Sequence, residues 1–290
     1  MAIQRQLRER IQSLQKAFQS LRVGKEALLT MIDEVEVAES VYNSNAIENS
    51  TLTLKETERI LLEQELSRDV SLREVFEAKN LARVVGYIKT NAMKRDLDKE
   101  MILLLHQMLI GGIDDAIAGR FRIKGEYVRV GTHIAPAPEQ VERMIAGILA
   151  SYASDLETYA IDKIAKFHVN FETVHPFLDG NGRIGRVIIN YQLFQLGLPG
   201  IIIRDKEKQT YYEGFREERV TTKNKIMERV IARGLLESLH KRIAYLEGRE
   251  IILLSDFARQ EKTSLSALLN AARRQTIPAF REKGIWKIGI

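Results

Sequence analysis

The chain has no cysteine in its 290 residues, which removes disulfides and thiolate metal sites from its chemistry and suits a reducing compartment. It also lacks a hydrophobic run long enough to span a bilayer. The most apolar stretch, 187–203, is interrupted by Asn190, Gln192, Gln195, Gly197, Pro199 and Gly200, so it reads as a buried helix followed by a short extended segment. The first residues show neither the apolar core nor the small-residue cleavage site of a signal peptide. Low-complexity tracts and internal repeats are missing as well. The formal charge is only +5, too mild to argue for nucleic acid by itself. A soluble cytoplasmic protein with no membrane partner is the expectation. Its length is enough to bury a full core, in one large domain or in two to three smaller parts.

Most of the chain reads as helix. Ile3, Leu7, Ile11, Leu14, Phe18 and Leu21 recur at helical spacing and form one apolar stripe. A second helix is expected over 25–46. Thr53 with Glu56, and Ser71 with Glu74, read as capping boxes that open two more. Further helices are expected over 100–110, closed by Gly111 and Gly112, then over 138–152, 158–174 and 183–196. The exception lies between Gly119 and Pro138. There Arg122, Ile123 and Lys124, then Tyr127, Val128, Arg129 and Val130, alternate around Gly125 and predict a short β-hairpin.

The chemistry concentrates between His175 and Arg186, in the run His-Pro-Phe-Leu-Asp-Gly-Asn-Gly-Arg-Ile-Gly-Arg. Gly180 and Gly182 let consecutive amides turn toward one ligand. A helix starting near Arg183 adds its positive end, because its first N–H groups have no partner within the helix. Arg183 and Arg186, three apart, share a face and present two forks to a polyphosphate. Asp179 is placed to hold a divalent cation on the same phosphates. His175 is left for proton transfer. The whole points to a nucleotide.

Two other readings use the same letters. Residues 180–185 spell G-x-G-x-x-G, and Asp205 follows about 20 residues on, as a dinucleotide fingerprint requires. Yet Ile161, Ile164, Phe167, Phe171 and Val174 fit a helix before the loop, where that fingerprint needs a strand. A P-loop is excluded because no Gly-Lys-Ser/Thr follows. The bland alternative is a glycine-rich turn with solvated arginines.

With these residues in register, the run resembles the signature of the Fic family, whose members typically transfer AMP from ATP to a hydroxyl of a target protein. The resemblance implies that His175 is the general base and that Phe177 anchors the loop to the core. It makes Asp179 the Mg²⁺ ligand and Gly180, Asn181 and Gly182 the anion hole. Arg183, Ile184, Gly185 and Arg186 complete the ATP site, the two arginines as phosphate clamps. In that family the hairpin before the signature is a flap that holds the target by strand addition. Val130, Gly131, Thr132 and His133 are the corresponding target-binding candidates, His133 as a lining residue and not as a second base.

Ser44-Asn45-Ala46-Ile47-Glu48-Asn49 resembles the inhibitory pattern of the same family, Ser/Thr-x-x-x-Glu-Gly/Asn. Ser44, Glu48 and Asn49 are its fixed positions. A Glu48 carboxylate paired with Arg186 would occupy the guanidinium that the γ-phosphate needs. Tyr211 and Tyr212 resemble the paired tyrosines near the family's adenine pocket, although tyrosine pairs are also common in cores.

The end of the chain differs. Ser255 is a candidate cap for a short helix containing Phe257 and Ala258, and Leu265, Leu268, Leu269 and Ala272 form the face of another. The stretch 276–288 resembles the wing of excisionase-type winged helices. Arg273, Arg274, Arg281, Lys283 and Lys287 give it a basic surface suited to phosphate contacts.

The expected architecture is therefore mainly α: a Fic-type helical bundle with a short β-hairpin flap and a small winged-helix-like module. Three parts are expected: an N-terminal helical extension carrying the inhibitory motif over 1–90, a catalytic core over 91–240, and the module over 245–290. The expected function is AMP transfer from ATP to a Ser, Thr or Tyr hydroxyl, with Mg²⁺ as cofactor and restraint by Glu48. The alternatives are a DNA-binding regulator with a nucleotide-sensing core and a de-AMPylating enzyme. A homodimer and DNA contacts through the module stay open.

Overall fold

The computed structural model describes residues 5–64 and 68–290; Ile3 of the first apolar stripe lies outside them. Among the described residues the fold is mainly helical, with two small antiparallel sheets. The N-terminal helices are α1 (Arg5–Leu21), α2 (Glu26–Ile47), α3 (Leu54–Leu61), α4 (Leu72–Asn91) and α5 (Lys99–Ile110). A hairpin of β1 (Arg129–Val130) and β2 (His133–Ile134) comes next. Then come α6 (Pro138–Ser154), α7 (Ala160–Val174), α8 (Asn181–Gln195), α9 (Lys208–Thr221) and α10 (Lys225–Leu246). No helix among the described residues is long and apolar enough to cross a membrane.

Local chemistry sets several helix ends. Thr53 and Glu56 form the full capping box expected before α3. Ser71 accepts the Glu74 N–H before α4, but the Glu74 carboxylate turns away to the N–H and hydroxyl of Thr51. That second box is half made, and its acid ties α4 to the segment after α2 instead. Asp98 caps α5 through the Met101 N–H, and Gly111 ends it.

Two apolar clusters fill the body. One gathers Leu29 and Ile32 of α2, Ile164 and Val169 of α7, Ile189 and Leu193 of α8, and Leu235 and Leu239 of α10. The other gathers Leu81 and Val84 of α4, Met101 and Leu105 of α5, Phe171 of α7, Phe177, and Ile184 and Ile188 of α8. Helices α2, α7 and α8 serve both, so the element carrying Glu48 is packed against the signature helices by the core itself.

The hairpin forms later in the chain than the alternation suggests. Arg129 pairs with Ile134 and Val130 with His133 around Gly131 (φ 57), while residues 122–124 are not a strand. The reason is that the Arg122 N–H bonds the Pro176 carbonyl, which takes that backbone into the signature loop and away from residues 127–130.

At the C-terminus, β3 (Ile251–Leu253), α11 (Leu254–Gln260), α12 (Leu265–Arg273), β4 (Ala279–Glu282) and β5 (Ile285–Gly289) form a winged-helix arrangement with sheet order β3-β5-β4. Ser264 caps α12, whereas Ser255, the candidate cap of the preceding helix, lies inside the first turn of α11. Much of the expected basic surface is engaged in ion pairs, although Lys283 itself stays exposed. Arg281 pairs with Glu237 and Glu207, Lys283 with Glu58, and Lys287 with Glu282. Arg273 and Arg274 stay exposed.

Candidate active site

Helix α7 ends at His175, whose left-handed backbone (φ 50) turns the chain out of the helix while its N–H still reaches the Phe171 carbonyl at 2.9 Å. The loop that follows is held from below. Phe177 is fully buried and stacks on His106, with ring centroids 3.7 Å apart and planes within 3°. The Gly119 N–H donates to His106 Nδ1 at 3.0 Å, so the ring proton sits on Nε2 and donates to the Asp179 carbonyl at 3.1 Å. Burial pushes His106 down to about 4, which keeps that neutral tautomer at physiological pH. The Asn181 side chain accepts the Phe177 N–H and donates to the Phe177 carbonyl, both at 2.8 Å.

Helix α8 begins at Asn181, two residues earlier than expected, with Gly180 before it at φ 81. Glycine is needed at 180 for that conformation, and a Cβ there would meet Leu109 and Ile110 at 3.1 and 3.2 Å. Gly182 then lies in the first turn, where backbone N–H groups have no helical acceptor. Ile184 is fully buried and contributes apolar packing beneath the site.

Asp179 sits between two arginines. Arg73 of α4 bonds one carboxylate oxygen at 2.5 Å and Arg183 bonds the other at 3.0 Å. Glu77 closes the ring, 3.1 Å from Arg73 and 3.2 Å from Arg183. Burial works against the Asp179 carboxylate, but Arg183, the Gly180 N–H and Arg73 together hold it below its usual range. Among the described residues no group of three or more His, Asp or Glu gathers to hold a metal.

Arg186 is buried and reaches α2. Its Nε donates to Ser44 Oγ at 3.0 Å, and one terminal nitrogen donates to the Ser44 carbonyl and to Glu48 Oε1, both at 2.8 Å. A methyl group on Gly182 would lie 2.2 Å from that same Glu48 oxygen. The Glu48 carboxylate thus covers the open turn of α8 as well as its arginine. Asn49 follows with φ 70, a conformation that favours Gly or Asn, which accounts for the residue types the pattern admits there.

The tyrosines divide. Tyr211 is 1% exposed, accepts or donates to His168 Nε2 at 2.8 Å and stands 3.5 Å from Arg186, so it supports the arginine from beneath rather than opening onto a pocket. Tyr212 is half-buried and donates to the Ile47 carbonyl at 3.3 Å. On the hairpin, Val130, Gly131 and Thr132 are exposed, whereas His133 Nε2 donates to the Thr173 carbonyl at 2.9 Å. That bond makes His133 a brace between hairpin and α7.

His175 is pushed down to about 4, chiefly by burial, so its imidazole is neutral across the physiological range. Glu172, one turn earlier, is pushed up to about 8 by burial and then by the Glu48 charge. Its Oε2 is 3.9 Å from His175 Nδ1. Glu172, His106, Arg73, Glu77 and Arg122 carry no local sequence signal of their place here, because each reaches the site from another element or another turn.

A sequence profile of the Fic/DOC family matches residues 96–193, which span the hairpin and the whole signature. The protein adenylyltransferase Fic of Nematostella vectensis is 31% identical over 178 residues, 60% of this chain and 41% of that protein. The protein of the same description from Drosophila melanogaster is 32% identical over 178 residues, 59% of this chain and 35% of that protein. The chain thus spans about two fifths of the length of these relatives or less. Among solved structures, a Fic-domain-containing signaling protein from Bacteroides thetaiotaomicron superposes with a TM-score of 0.76 at 25% identity, over 83% of this chain and 98% of that one. Fic-1 from C. elegans has the same fold, with a TM-score of 0.70 at 24% identity, over 83% of this chain and 73% of that one. Glu48 and Tyr211 lie outside the matched Fic segment, yet both approach its Arg186.

Proposed function

We propose that this protein transfers AMP from ATP to a hydroxyl on a target protein and that Glu48 restrains it. The observation that carries the reading is the shared address of one carboxylate, which bonds Arg186 at 2.8 Å and covers Gly182 in the open turn of α8. A group that blocks both an arginine and an anion-binding helix start is placed to exclude a phosphate.

In the proposed reaction, neutral His175 takes the proton of a Ser, Thr or Tyr hydroxyl held beside the hairpin. The hydroxyl oxygen then bonds the α-phosphorus of ATP, the bond to the bridging oxygen breaks, and pyrophosphate leaves with its electron pair. The α8 amides around Gly182, with Arg183 and Arg186, hold the phosphates, and their donors face charge that grows in the transition state. Asp179 fits Mg²⁺, because that ion is commonly bound by one or two carboxylates together with substrate phosphates. When bound there it would neutralise polyphosphate charge.

Incubation with α-labelled ATP tests the reading on the wild type and on Glu48→Gly. Labelled protein supports transfer. Specific DNA binding without labelling would favour a regulator, and release of AMP from a modified protein by the wild type would favour the reverse reaction.

A further inference from the structure

We infer that Arg122 is a positioning residue that sets the distance between the target-holding hairpin and the proton acceptor His175. This rests on the transfer reaction proposed above. Arg122 is 3% exposed, and its guanidinium is directed entirely at backbone carbonyls. Nε donates to the His175 carbonyl at 2.8 Å, and one terminal nitrogen donates to the Val174 and Pro136 carbonyls at 3.2 and 3.0 Å. The other terminal nitrogen donates to the Glu126 carbonyl at 2.9 Å. The backbone N–H of the same residue bonds the Pro176 carbonyl at 2.9 Å.

These acceptors fall into two groups. Val174, His175 and Pro176 form the last turn of α7 and the start of the signature loop. Glu126 and Pro136 flank the hairpin on its two sides. One side chain therefore ties both stems of the hairpin to the residue that bears the base. The nearest acid, Glu126, is engaged elsewhere, since both its oxygens bond Arg120 at 2.8 Å and one also accepts the Ile123 N–H. Arg122 thus works through geometry and not through a buried ion pair.

A guanidinium suits this task because its planar fork projects several N–H groups in fixed directions, whereas an ammonium is a single compact point. The charge also faces the carbonyl end of α7, where a cation is favourable. His133 braces the same two elements through Thr173, but with one bond. The physical consequence is specific: losing Arg122 lets the hairpin and the left-handed turn at His175 move independently. Nucleotide contacts come from α8 and are untouched. Misplacement by about 1 Å costs on the order of 10²-fold in rate.

The experiment uses the full chain in a Glu48→Gly background, with α-labelled ATP and self-labelling as the probe. Arg122→Met should lower the maximal labelling rate by about 10²-fold, while the ATP concentration for half-maximal rate changes less than threefold. Arg122→Lys should fall between the two, and it serves alone if the Met variant does not fold. A variant labelling within threefold of its parent, or a loss explained wholly by weaker ATP binding, overturns the inference. Hydrogen exchange provides a readout independent of transfer. Amides over 123–137 and over 172–178 should lose protection together in the variant. Loss confined to one segment overturns the coupling, even if the parent protein proves not to transfer AMP at all.

Discussion

Glu48 and Arg186, 138 residues apart in sequence, meet at 2.8 Å through a carboxylate that also covers Gly182. Arg186 pays for its burial chiefly through this contact, since burial works against its charge and Glu48 is the largest influence that favours it. The pair therefore has two readings, stability and restraint, and they predict opposite effects on activity.

Glu48→Gly should raise labelling from α-labelled ATP, because Arg186 becomes free for phosphate. The gain should vanish in a Glu48→Gly, Arg186→Ala double variant. If the pair served stability alone, Glu48→Gly would lower the melting temperature and leave labelling flat or reduced. A wild type as active as the single variant would sink the restraint.

His175→Ala should lower transfer by about 10²–10⁴-fold while ATP still binds, since the imidazole supplies proton transfer and few phosphate contacts. Burial lowers His175 to about 4. Above that value the base is already neutral, so the acid limb of the rate profile should lie near 4 and not near 6.5. A limb at 6.5 in a folded enzyme would mean that His175 titrates as a solvated histidine.

Asp179→Ala should remove the Mg²⁺ requirement together with activity, and full activity in EDTA would reject its role. Arg73 adds a finer test. It holds Asp179 at 2.5 Å from the start of α4, so it competes for the carboxylate that a metal would use. Arg73→Ala should lower the Mg²⁺ concentration needed for half-maximal labelling by several-fold. An unchanged requirement would show that the Arg73 contact yields without cost.

Glu172 links pH to stability with a definite sign. Burial raises it from 4.5 to about 8, so between those values the folded state holds a proton that the unfolded state has lost. Its contribution is full below about 4.5 and declines as pH rises through 8. Glu172→Gln mimics the protonated form at every pH. Its melting temperature should therefore gain on the wild type steadily from pH 5 to 8.5. A constant gap across that window would mean that Glu172 is ionised in the fold.

What was legible in the sequence follows from how local each feature is. The signature was readable because His175, Asp179, Gly180, Gly182, Arg183 and Arg186 act within one loop and the turn after it. Asn49 and Glu48 were readable only through resemblance, since nothing in α2 itself says that its end faces Arg186. The hairpin register was misread because Arg122 sits in an alternating pattern, and alternation cannot show that a polar side chain is turned inward onto carbonyls. The His133 bond to the Thr173 carbonyl was illegible for a related reason, since its acceptor lies on α7, 40 residues away. The basic face of the C-terminal module was overestimated because charges look alike in sequence whether solvated or paired. Arg281, read there as a phosphate contact, is mostly covered and paired with Glu237.

That buried pairing leads to the last prediction. Glu39, in the middle of α2, is 4% exposed and pairs with Arg204. Its two oxygens also accept the N–H groups of Lys283 and Gly284, each at 3.0 Å, at the turn between β4 and β5. Arg204 in turn reaches Glu237 at 2.9 Å, and Glu237 is shared with Arg281. Removing the Glu39 carboxylate would leave Arg204 with only Glu237, which it shares with Arg281, and two backbone donors without acceptors. Breaking a buried pair by deleting one partner costs about 3–5 kcal/mol. At about 2–4 °C per kcal/mol for a chain near this size, Glu39→Ala should lower the melting temperature by roughly 6–20 °C. Glu39→Gln keeps an acceptor for the turn and should lose less. Replacing both Glu39 and Arg204 with apolar residues should recover part of the loss, because the stranded charge goes with its partner. If Glu39→Ala melts within 2 °C of the wild type, the turn between β4 and β5 is not held on α2 in solution.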